Sequence, residues 1–361
     1  MKKNAVVFGF LCCLFFSPYS IGSVENTVEK VSSSDEGFYV HQFGKYKIIA
    51  LKDGSLNLAP VLFNKNLTAV ELLSLFKKLD IDQTEAMQTS VNAFLIDDGE
   101  RNLTLIDSGA ASCAGEGLGS ISQNIQNAGY SLARVKTVFL THLHPDHVCG
   151  VSKDGKRVFP NATIYVSDKE DAYWLGNTNI SELKPSKQKA YLETVEKIKK
   201  AVEPYKAIKN YKTFKDGTTI NGIDVMSSLG HTPGHYSFIL KDGDKQIVFI
   251  GDIVHSHKLQ FDQPKLAVEF DVDPVQASET RIEWFKELEN NKSLVAAPHL
   301  PFPGLGHIYK FEANNYQWVA LGASPEVFQP KKVDKSDKTK VDTVINAYPG
   351  NRFVIQKNED K

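Results

Sequence analysis

The chain has 361 residues, of which 42% are hydrophobic, and 42 Lys and Arg stand against 43 Asp and Glu for a formal net charge of -1. That length can bury a large core, as one large domain or two of ordinary size. The balanced charge supplies no basic footprint for nucleic acid, so a small or neutral substrate is the simpler expectation.

Lys2 and Lys3 precede an apolar run from Ala5 to Phe16, followed by Ser17-Pro18 and small residues at Ser20, Gly22 and Ser23. This is the pattern of a secretory signal peptide, too short to span a bilayer comfortably as a permanent helix, so residues 1–23 are expected to be removed. The mature protein is then expected to be secreted or periplasmic, with no stable membrane anchor, since no later stretch is long and apolar enough to span. Residues 24–36 are polar, acidic and serine-rich and read as a linker. Only Cys113 and Cys149 remain beyond the signal, so stability must come from a core and not from a disulfide framework.

The folded region opens with two expected strands, Phe38 to Phe43 and Tyr46 to Leu51, joined at Gly44-Lys45, with a second turn expected at Asp53-Gly54. Thr68 and Glu71 make a capping box, and Leu72, Leu75, Phe76 and Leu79 share a face, which predicts a helix over 69–79. Val91 to Ile96 and Leu103 to Ile106 read as a second strand pair ending in Asp107-Ser108-Gly109. An acidic residue at the end of a buried strand, followed by glycine, is a usual place for function. Leu118 to Ala128 is helical in pattern, with Gly129 as terminator. It leads into a buried strand, Val135 to Leu140.

Ala162 to Val166 is another expected strand, and Ser167 with Glu170 caps a short helix through Trp174. From Lys184 to Tyr205 an apolar stripe at Tyr191, Val195, Ile198, Val202 and Tyr205 predicts a long helix packed on a core. Further strands are expected at Tyr211 to Phe214, Ile223 to Ser227, Tyr236 to Leu240 and Ile247 to Ile250. Asp273, Pro274 and Gln276 start a helix to about Glu289, and Ser293 to Ala297 reads as the final buried strand. Two halves of this kind predict an α+β fold, two sheets face to face with helices outside. From Pro330 to the end, Lys and Asp dominate, and residues 330–361 read as a charged extension beyond a domain of 37–329.

The stretch Thr141-His142-Leu143-His144-Pro145-Asp146-His147 holds three imidazoles and a carboxylate in six consecutive residues. His142 and His144, two apart on extended chain, point the same way and can grip one metal; Asp146 and His147 face another. Imidazole suits zinc and its neighbours, and an admixed carboxylate suits a hydrolytic centre. Three more candidate ligands follow strands: His231 in Gly230-His231-Thr232-Pro233-Gly234-His235, Asp252 in Gly251-Asp252, and His299 in Pro298-His299.

On these residues the chain resembles the metallo-β-lactamase superfamily from about Tyr39 to Leu321. The resemblance implies an αββα sandwich and two divalent metal ions, zinc first, with manganese, iron or cobalt also accepted by such donors. It assigns His142, His144 and His231 to one metal and Asp146, His147 and His299 to the other. Asp252 would bridge them, which makes Asp146 and Asp252 the catalytic carboxylates. Asp107 would orient a ligand histidine from behind. His235, His255, His257 and His307 remain as supporting residues, His235 nearest the site. The run from His299 to His307 and the Gln88-Thr89-Ser90-Val91-Asn92 approach resemble the methyl parathion hydrolase branch, which includes phosphotriesterases and lactonases. Where the family motif usually continues Gly-Gly, this chain has Val148-Cys149-Gly150. Cys149 and Cys113 both sit on loops near the site, and as the only cysteines beyond the signal they are expected to pair.

Two divalent ions lower the pKa of a shared water, and the resulting bridging hydroxide attacks a carbonyl or a phosphorus. Phe63, Trp174 and Phe302 are the candidates for an apolar pocket, which suits an uncharged ester, lactone or phosphotriester. A true β-lactamase is disfavoured by Asp252, and a glyoxalase-type thioester hydrolase by the signal peptide. A non-catalytic binding protein that keeps metals for stability is disfavoured by the intact ligand set. A homodimer is left open.

Overall fold

A strand apolar at every position needs cover on both faces, and the chain meets that demand by packing two sheets together with helices outside them. The computed structural model describes residues 37–322 apart from 101, 112, 313 and 314. The expected signal peptide (1–23), linker (24–36) and charged extension (330–361) lie outside the described residues. Among the described residues no helix is long and apolar enough to cross a membrane.

β1 (Phe38–Phe43) and β2 (Tyr46–Leu58) form the expected hairpin, but there is no turn at Asp53-Gly54. β2 instead runs on to Leu58 and absorbs the irregularity as a bulge, between Lys52 and Gly54, against β3 (Met87–Asp97). Asp53 explains the difference. Its buried carboxylate accepts the backbone N–H groups of Ala110 and Ile121 at 2.8 and 3.2 Å, which ties the strand to the loop after β4 (Leu103–Ile106). The helix α1 (Ala69–Lys78) starts on the expected capping box of Thr68 and Glu71. The helix α2 (Ile121–Asn127) starts later than Leu118, because Gly119 takes a left-handed φ of 102° that interrupts any earlier helix.

After β5 (Val135–Phe139) come α3 (Pro145–Val148), the small ribbon of β6 (Ser152–Lys153) and β7 (Lys156–Arg157), β8 (Thr163–Ser167), α4 (Asp168–Leu175), α5 (Pro185–Lys206) and β9 (Tyr211–Phe214). The first sheet has the order β1-β2-β3-β4-β5-β8-β9, antiparallel to β4 and parallel from there to β9. The second sheet comprises β10 (Thr219–Ile220), β11 (Ile223–Ser227), β12 (Tyr236–Asp242), β13 (Lys245–Phe249), β14 (Leu294–Ala296), β15 (Leu305–Glu312) and β16 (Asn315–Ala320), in that order. Between β13 and β14 the chain makes α6 (Leu259–Asp262) and α7 (Pro274–Asn290), so that β13 and β14 run parallel. The strand expected to be last is therefore not last: β15 and β16 extend the sheet and make β14 an interior strand.

Alternation along each strand divides two cores. On β3, Phe94 and Ile96 point between the sheets while Ala93 and Leu95 point to the helices; Ile48 and Ala50 against Ile49 and Leu51 repeat this on β2. In the second sheet Phe238 and Phe249 face inward, and Ile239 and Val248 face outward. Ring pairs Phe94–Phe249 at 5.7 Å and Phe139–Phe238 at 4.9 Å join the two sheets, so their strand ends are held in a fixed relation.

Cys113 and Cys149 form a disulfide, with Cα atoms 6.2 Å apart and a sequence separation of 36. It joins the loop after β4 to the segment just after α3. Hydrogen bonds from Ser108 N–H to the His147 carbonyl (2.8 Å) and from Gly150 N–H to the Gly109 carbonyl (2.9 Å) run beside it. Replacing both cysteines by serine is expected to lower the unfolding free energy by about 2–4 kcal/mol, the usual worth of closing such a loop. Urea unfolding of oxidised wild type and the double variant measures it, and coincident curves would mean that the hydrogen bonds alone fix these loops.

Candidate metal centre

Strand ends of both sheets deliver the polar residues. β4 ends at Ile106, and Asp107 follows in a left-handed conformation (φ 57°) that asparagine and aspartate tolerate better than most residues. Its carboxylate accepts the Thr141 N–H (2.9 Å) and hydroxyl, and bonds His147 Nδ1 at 2.9 Å. The chain after β5 is thereby pulled toward Asp107. His144 then caps α3, with Pro145 at its first position, and the turn presents Asp146 and His147. In the second sheet, β13 ends at Phe249, and Gly251-Asp252 follow in a short 3-10 turn. Gly251 has φ 53°, and a Cβ there would lie 2.4 Å from His235 Nε2, so only glycine fits. After β14, His299 Nδ1 bonds the Ser90 carbonyl at 2.9 Å, while the Asn92 side chain donates to the Leu300 carbonyl at 2.9 Å.

These elements converge on three groups whose donor atoms lie within 4.8 Å of one another: His142, His144, His231 and Asp252; Asp146, His147 and His299; and Asp252, His255 and His299. Asp252 is common to the first and third. Its Oδ1 lies 3.1 Å from His147 Nε2, and His299 Nε2 lies 3.2 Å from both of its oxygens. Its Oδ2 lies 3.2 Å from His231 Nε2, 3.6 Å from His142 Nε2 and 3.1 Å from His255 Nε2. One carboxylate thus turns an oxygen toward each of two clusters. Asp146 Oδ2 stands 3.5 Å from His299 Nε2 and 3.6 Å from His147 Nε2.

The donor set fits divalent cations. His142 Nε2, His147 Nε2 and Asp252 Oδ1 are buried with no hydrogen-bond partner although they point at one another's surroundings, and buried polar atoms are rarely left so. His231 Nε2 and His144 Nδ1 face each other at 2.9 Å, an approach that needs a proton or a cation between two lone pairs. Burial by itself would depress His231, but Asp252 and Asp271 outweigh it and push its pKa up to about 9. Burial likewise opposes, and Asp252, Asp146 and Asp107 overcome it, to hold His147 well above the ordinary imidazole range. His142, dominated by burial and the neighbouring His147, is driven well below that range.

The structure brings His142, His144, Asp146, His147, His231, Asp252 and His299 together, with Asp107 behind His147. His235 uses both ring nitrogens away from the clusters: Nδ1 donates to the Ser228 carbonyl (2.9 Å), and Nε2 accepts the Asp252 N–H (2.8 Å). Burial accordingly pushes its pKa down to about 3. Of the expected pocket aromatics, Phe63 requires correction. It is 0% exposed inside a separate cluster with Leu75, Phe76 and Leu259, so it presents no face to a substrate. Trp174 is nearly buried, edge-on to His144 at 5.5 Å and stacked on Tyr191 at 5.0 Å. Phe302 is half-buried against the core between the sheets.

Three residues here are not evident from sequence, and a fourth, His255, was expected only as a supporting residue. Phe270 stands edge-on to both His255 (5.0 Å) and His231 (6.0 Å). Asp271 Oδ1 bonds His231 Nδ1 at 2.8 Å, doing for one cluster what Asp107 does for the other. His255 reaches Asp252, as above. Glu170, foreseen only as part of a helix cap, is wholly buried and accepts four donors: Leu143 N–H (2.9 Å), Trp174 Nε1 (2.7 Å), the Thr232 hydroxyl (2.6 Å) and Gly234 N–H (3.1 Å). It joins the loop of His142 and His144 to the loop of His231. Burial raises its pKa, against the pull of those donors. The only signals in sequence were a glutamate three residues after Ser167 and acidic residues flanking Phe270, neither of them distinctive.

A histidine and aspartate cluster at the strand ends of a two-sheet sandwich defines a metal-dependent hydrolase. The family model for the metallo-beta-lactamase superfamily matches residues 87–309, and the chain belongs to that superfamily. It is similar to the hydrolase AbOPH of the beta lactamase superfamily, with 49% identity over 80% of this chain and 98% of that one and a TM-score of 0.75. It is also similar to AidC, a dizinc quorum-quenching lactonase solved with a product, N-hexanoyl-L-homoserine, at 27% identity over 79% of this chain and 97% of that one, TM-score 0.70. The Bacillus subtilis (strain 168) protein YobT is 29% identical over 149 residues, or 41% of this chain, which spans 56% of that curated relative's length.

Glu170→Gln tests the join between the histidine loops. The new amide can turn its NH2 toward Thr232, whose hydroxyl can accept, but the Gly234 N–H then loses its acceptor, at an expected cost of about 1–3 kcal/mol. Chemical unfolding of the metal-free variant should show that loss, and zinc affinity by chelator competition should fall with it. Wild-type values in both would mean that the loops are held without Glu170.

Proposed function

We propose that the chain is a dinuclear hydrolase of uncharged lactones or other carboxyl esters, with phosphotriesters as the nearest competing substrates. The observation that carries the reading is the placing of Asp252, one oxygen toward each cluster, with His142, His144 and His231 on one side and Asp146, His147 and His299 on the other. These seven residues would hold two divalent cations, zinc first, which when bound lower the pKa of water and polarise the scissile group. The chain's own part is to fix geometry and exclude solvent. Asp107 and Asp271 hold His147 and His231 by their outer nitrogens, so that each Nε2 keeps its direction. Phe270 and Trp174 place aromatic edges against His231 and His144 and keep that side apolar.

The charge beside the site supports an uncharged substrate. Glu269, next to Phe270, is paired with both Lys65 (2.5 Å) and Lys187 (3.5 Å), so neither lysine is an isolated cation for an anionic ligand. Similarity to a lactonase supports the lactone as substrate. Passage through the secretory route to a secreted or periplasmic location is supported by the signal-like residues 1–23 and by the Cys113–Cys149 disulfide, which persists in oxidising compartments. A hydrolase domain of 37–329 followed by a charged extension is part of the same proposal.

Elemental analysis of metal-saturated protein should give two ions per chain, and Asp252→Ala should lose more metal and more activity than His235→Ala, which acts only through the Asp252 backbone. On a panel of lactones, aryl esters, phosphotriesters and β-lactams, kcat/KM for the best lactone should exceed that for the best β-lactam by orders of magnitude. A β-lactam at the head of the panel would refute the substrate assignment.

A further inference from the structure

His255, expected only as an unspecified supporting residue, is buried and stands where it could be taken for an eighth ligand. Its Nε2 is 3.1 Å from Asp252 Oδ2, its ring stacks on His299 at 5.2 Å with 18° between the planes, and Phe270 packs edge-on against it. Its backbone is held as well, the N–H donating to Gln260 Oε1 at 2.7 Å. The distinction between ligand and hydrogen-bond donor rests on the nitrogen facing away.

A histidine that gives one nitrogen's lone pair to a metal carries its proton on the other nitrogen, and that N–H is almost always given an acceptor. The buried candidate ligands obey this. His142 Nδ1 meets the Thr141 hydroxyl (3.0 Å), His147 Nδ1 meets Asp107, His231 Nδ1 meets Asp271, and His299 Nδ1 meets the Ser90 carbonyl. Thr141 can accept there because its own proton goes to Asp107. His255 Nδ1 is buried with no partner. A ligand role would leave a buried N–H with no protein acceptor, whereas a proton on Nε2 leaves only a bare lone pair at Nδ1 and a donor aimed at Asp252 Oδ2.

We propose that His255 is a positioning residue for Asp252: in its Nε2–H form it donates to Oδ2, the oxygen turned toward His142 and His231, and fixes the plane of the carboxylate without itself holding metal. This rests on the reading of Asp252 as the group shared by two cations. Together with His235, which accepts the Asp252 N–H, it restrains that residue at both its backbone and its side chain.

Two variants and one measurement on the wild type test it. In zinc-loaded wild type, a two-bond proton–nitrogen correlation on labelled histidine, assigned against His255→Gln, should show His255 protonated at Nε2 and bare at Nδ1. A metal-shifted Nε2 with a protonated Nδ1 would make it a ligand and overturn the proposal. His255→Phe keeps ring stacking but not the donor, and its zinc affinity by chelator competition should fall roughly 10–100-fold, as for loss of other groups behind a metal shell. His255→Gln, which retains a donor, should recover most of that affinity. Two zinc ions per wild-type chain with undiminished affinity in His255→Phe would remove the role of His255 alone. One zinc ion per wild-type chain would remove the shared role of Asp252 and this assignment with it.

Discussion

A carboxylate that is 3% exposed and fully ringed by imidazoles is the constraint from which the rest of the site follows. An isolated buried carboxylate is strongly disfavoured unless opposite charge and hydrogen bonds surround it. Burial would raise the Asp252 pKa, yet His147, His299 and His142 hold it well below the usual carboxylate range. Those histidines come from strand ends in two different sheets, so the group is stable only where both sheets meet. The ring pairs between the sheets, Phe94 with Phe249 and Phe139 with Phe238, fix that meeting far more rigidly than any loop contact could.

Around this carboxylate the loops are held by buried polar groups instead of by sheet. Glu170 ties the first histidine loop to the second, and Asp107 joins the end of β4 to the residues after β5. Arg281 of α7, itself buried, donates to the carbonyls of Ile253 (2.6 Å), Pro264 and Leu266 (2.8 Å each), which fixes the chain leaving Asp252 and the approach to Phe270 and Asp271. Burial lowers the Arg281 pKa to about 10, still well above neutrality, so it remains a full donor. Irregular backbone next to a metal-binding cluster is thus made rigid by side chains that satisfy it, which is the condition for holding several donors to within a fraction of an ångström.

The sandwich and the seven donors of the two clusters were legible in the sequence because both leave short-range marks. Buried strands are continuous apolar runs, and His142 to His147 packs four donors into one segment, with His231, Asp252 and His299 each just past such a run. Of the residues that support them, Asp107 was expected through the family resemblance, and His235 and His255 only as supporting residues; Asp271 and the linking role of Glu170 were not legible, because a supporting residue is defined by a partner remote in sequence. Asp271 lies 40 residues from His231, and Glu170 27 residues from Leu143. Neither has a local pattern that separates it from an ordinary surface acid. The same reason explains the turn expected at Asp53-Gly54: aspartate followed by glycine is a turn signal only while the carboxylate is free to bond its own backbone, and here Ala110 and Ile121 claim it. Phe63 went astray through distance as well, since an aromatic residue gives no sign in sequence of whether its face is open. β15 and β16 escaped notice because they lack the unbroken apolar run of the interior strands, with Tyr309 and Phe311 exposed on either side of an exposed Lys310.

The two clusters are not equivalent, and the difference is one of charge. The first sets three imidazoles against its share of Asp252, with Asp271 behind His231. The second sets two imidazoles and Asp146 against the other share, with Asp107 behind His147. A divalent cation on the second side would therefore be neutralised by one more directly facing carboxylate than a cation on the first, and would be the weaker of the two at polarising a bound oxygen. The first side keeps more of its charge for a substrate oxygen, and it is also the side that Trp174 and Phe270 flank through His144 and His231. An apolar wall beside the less neutralised cluster lowers the local dielectric and would strengthen electrostatic interaction there. Charge distribution and aromatic packing thus favour the same half of the site for the polarised group.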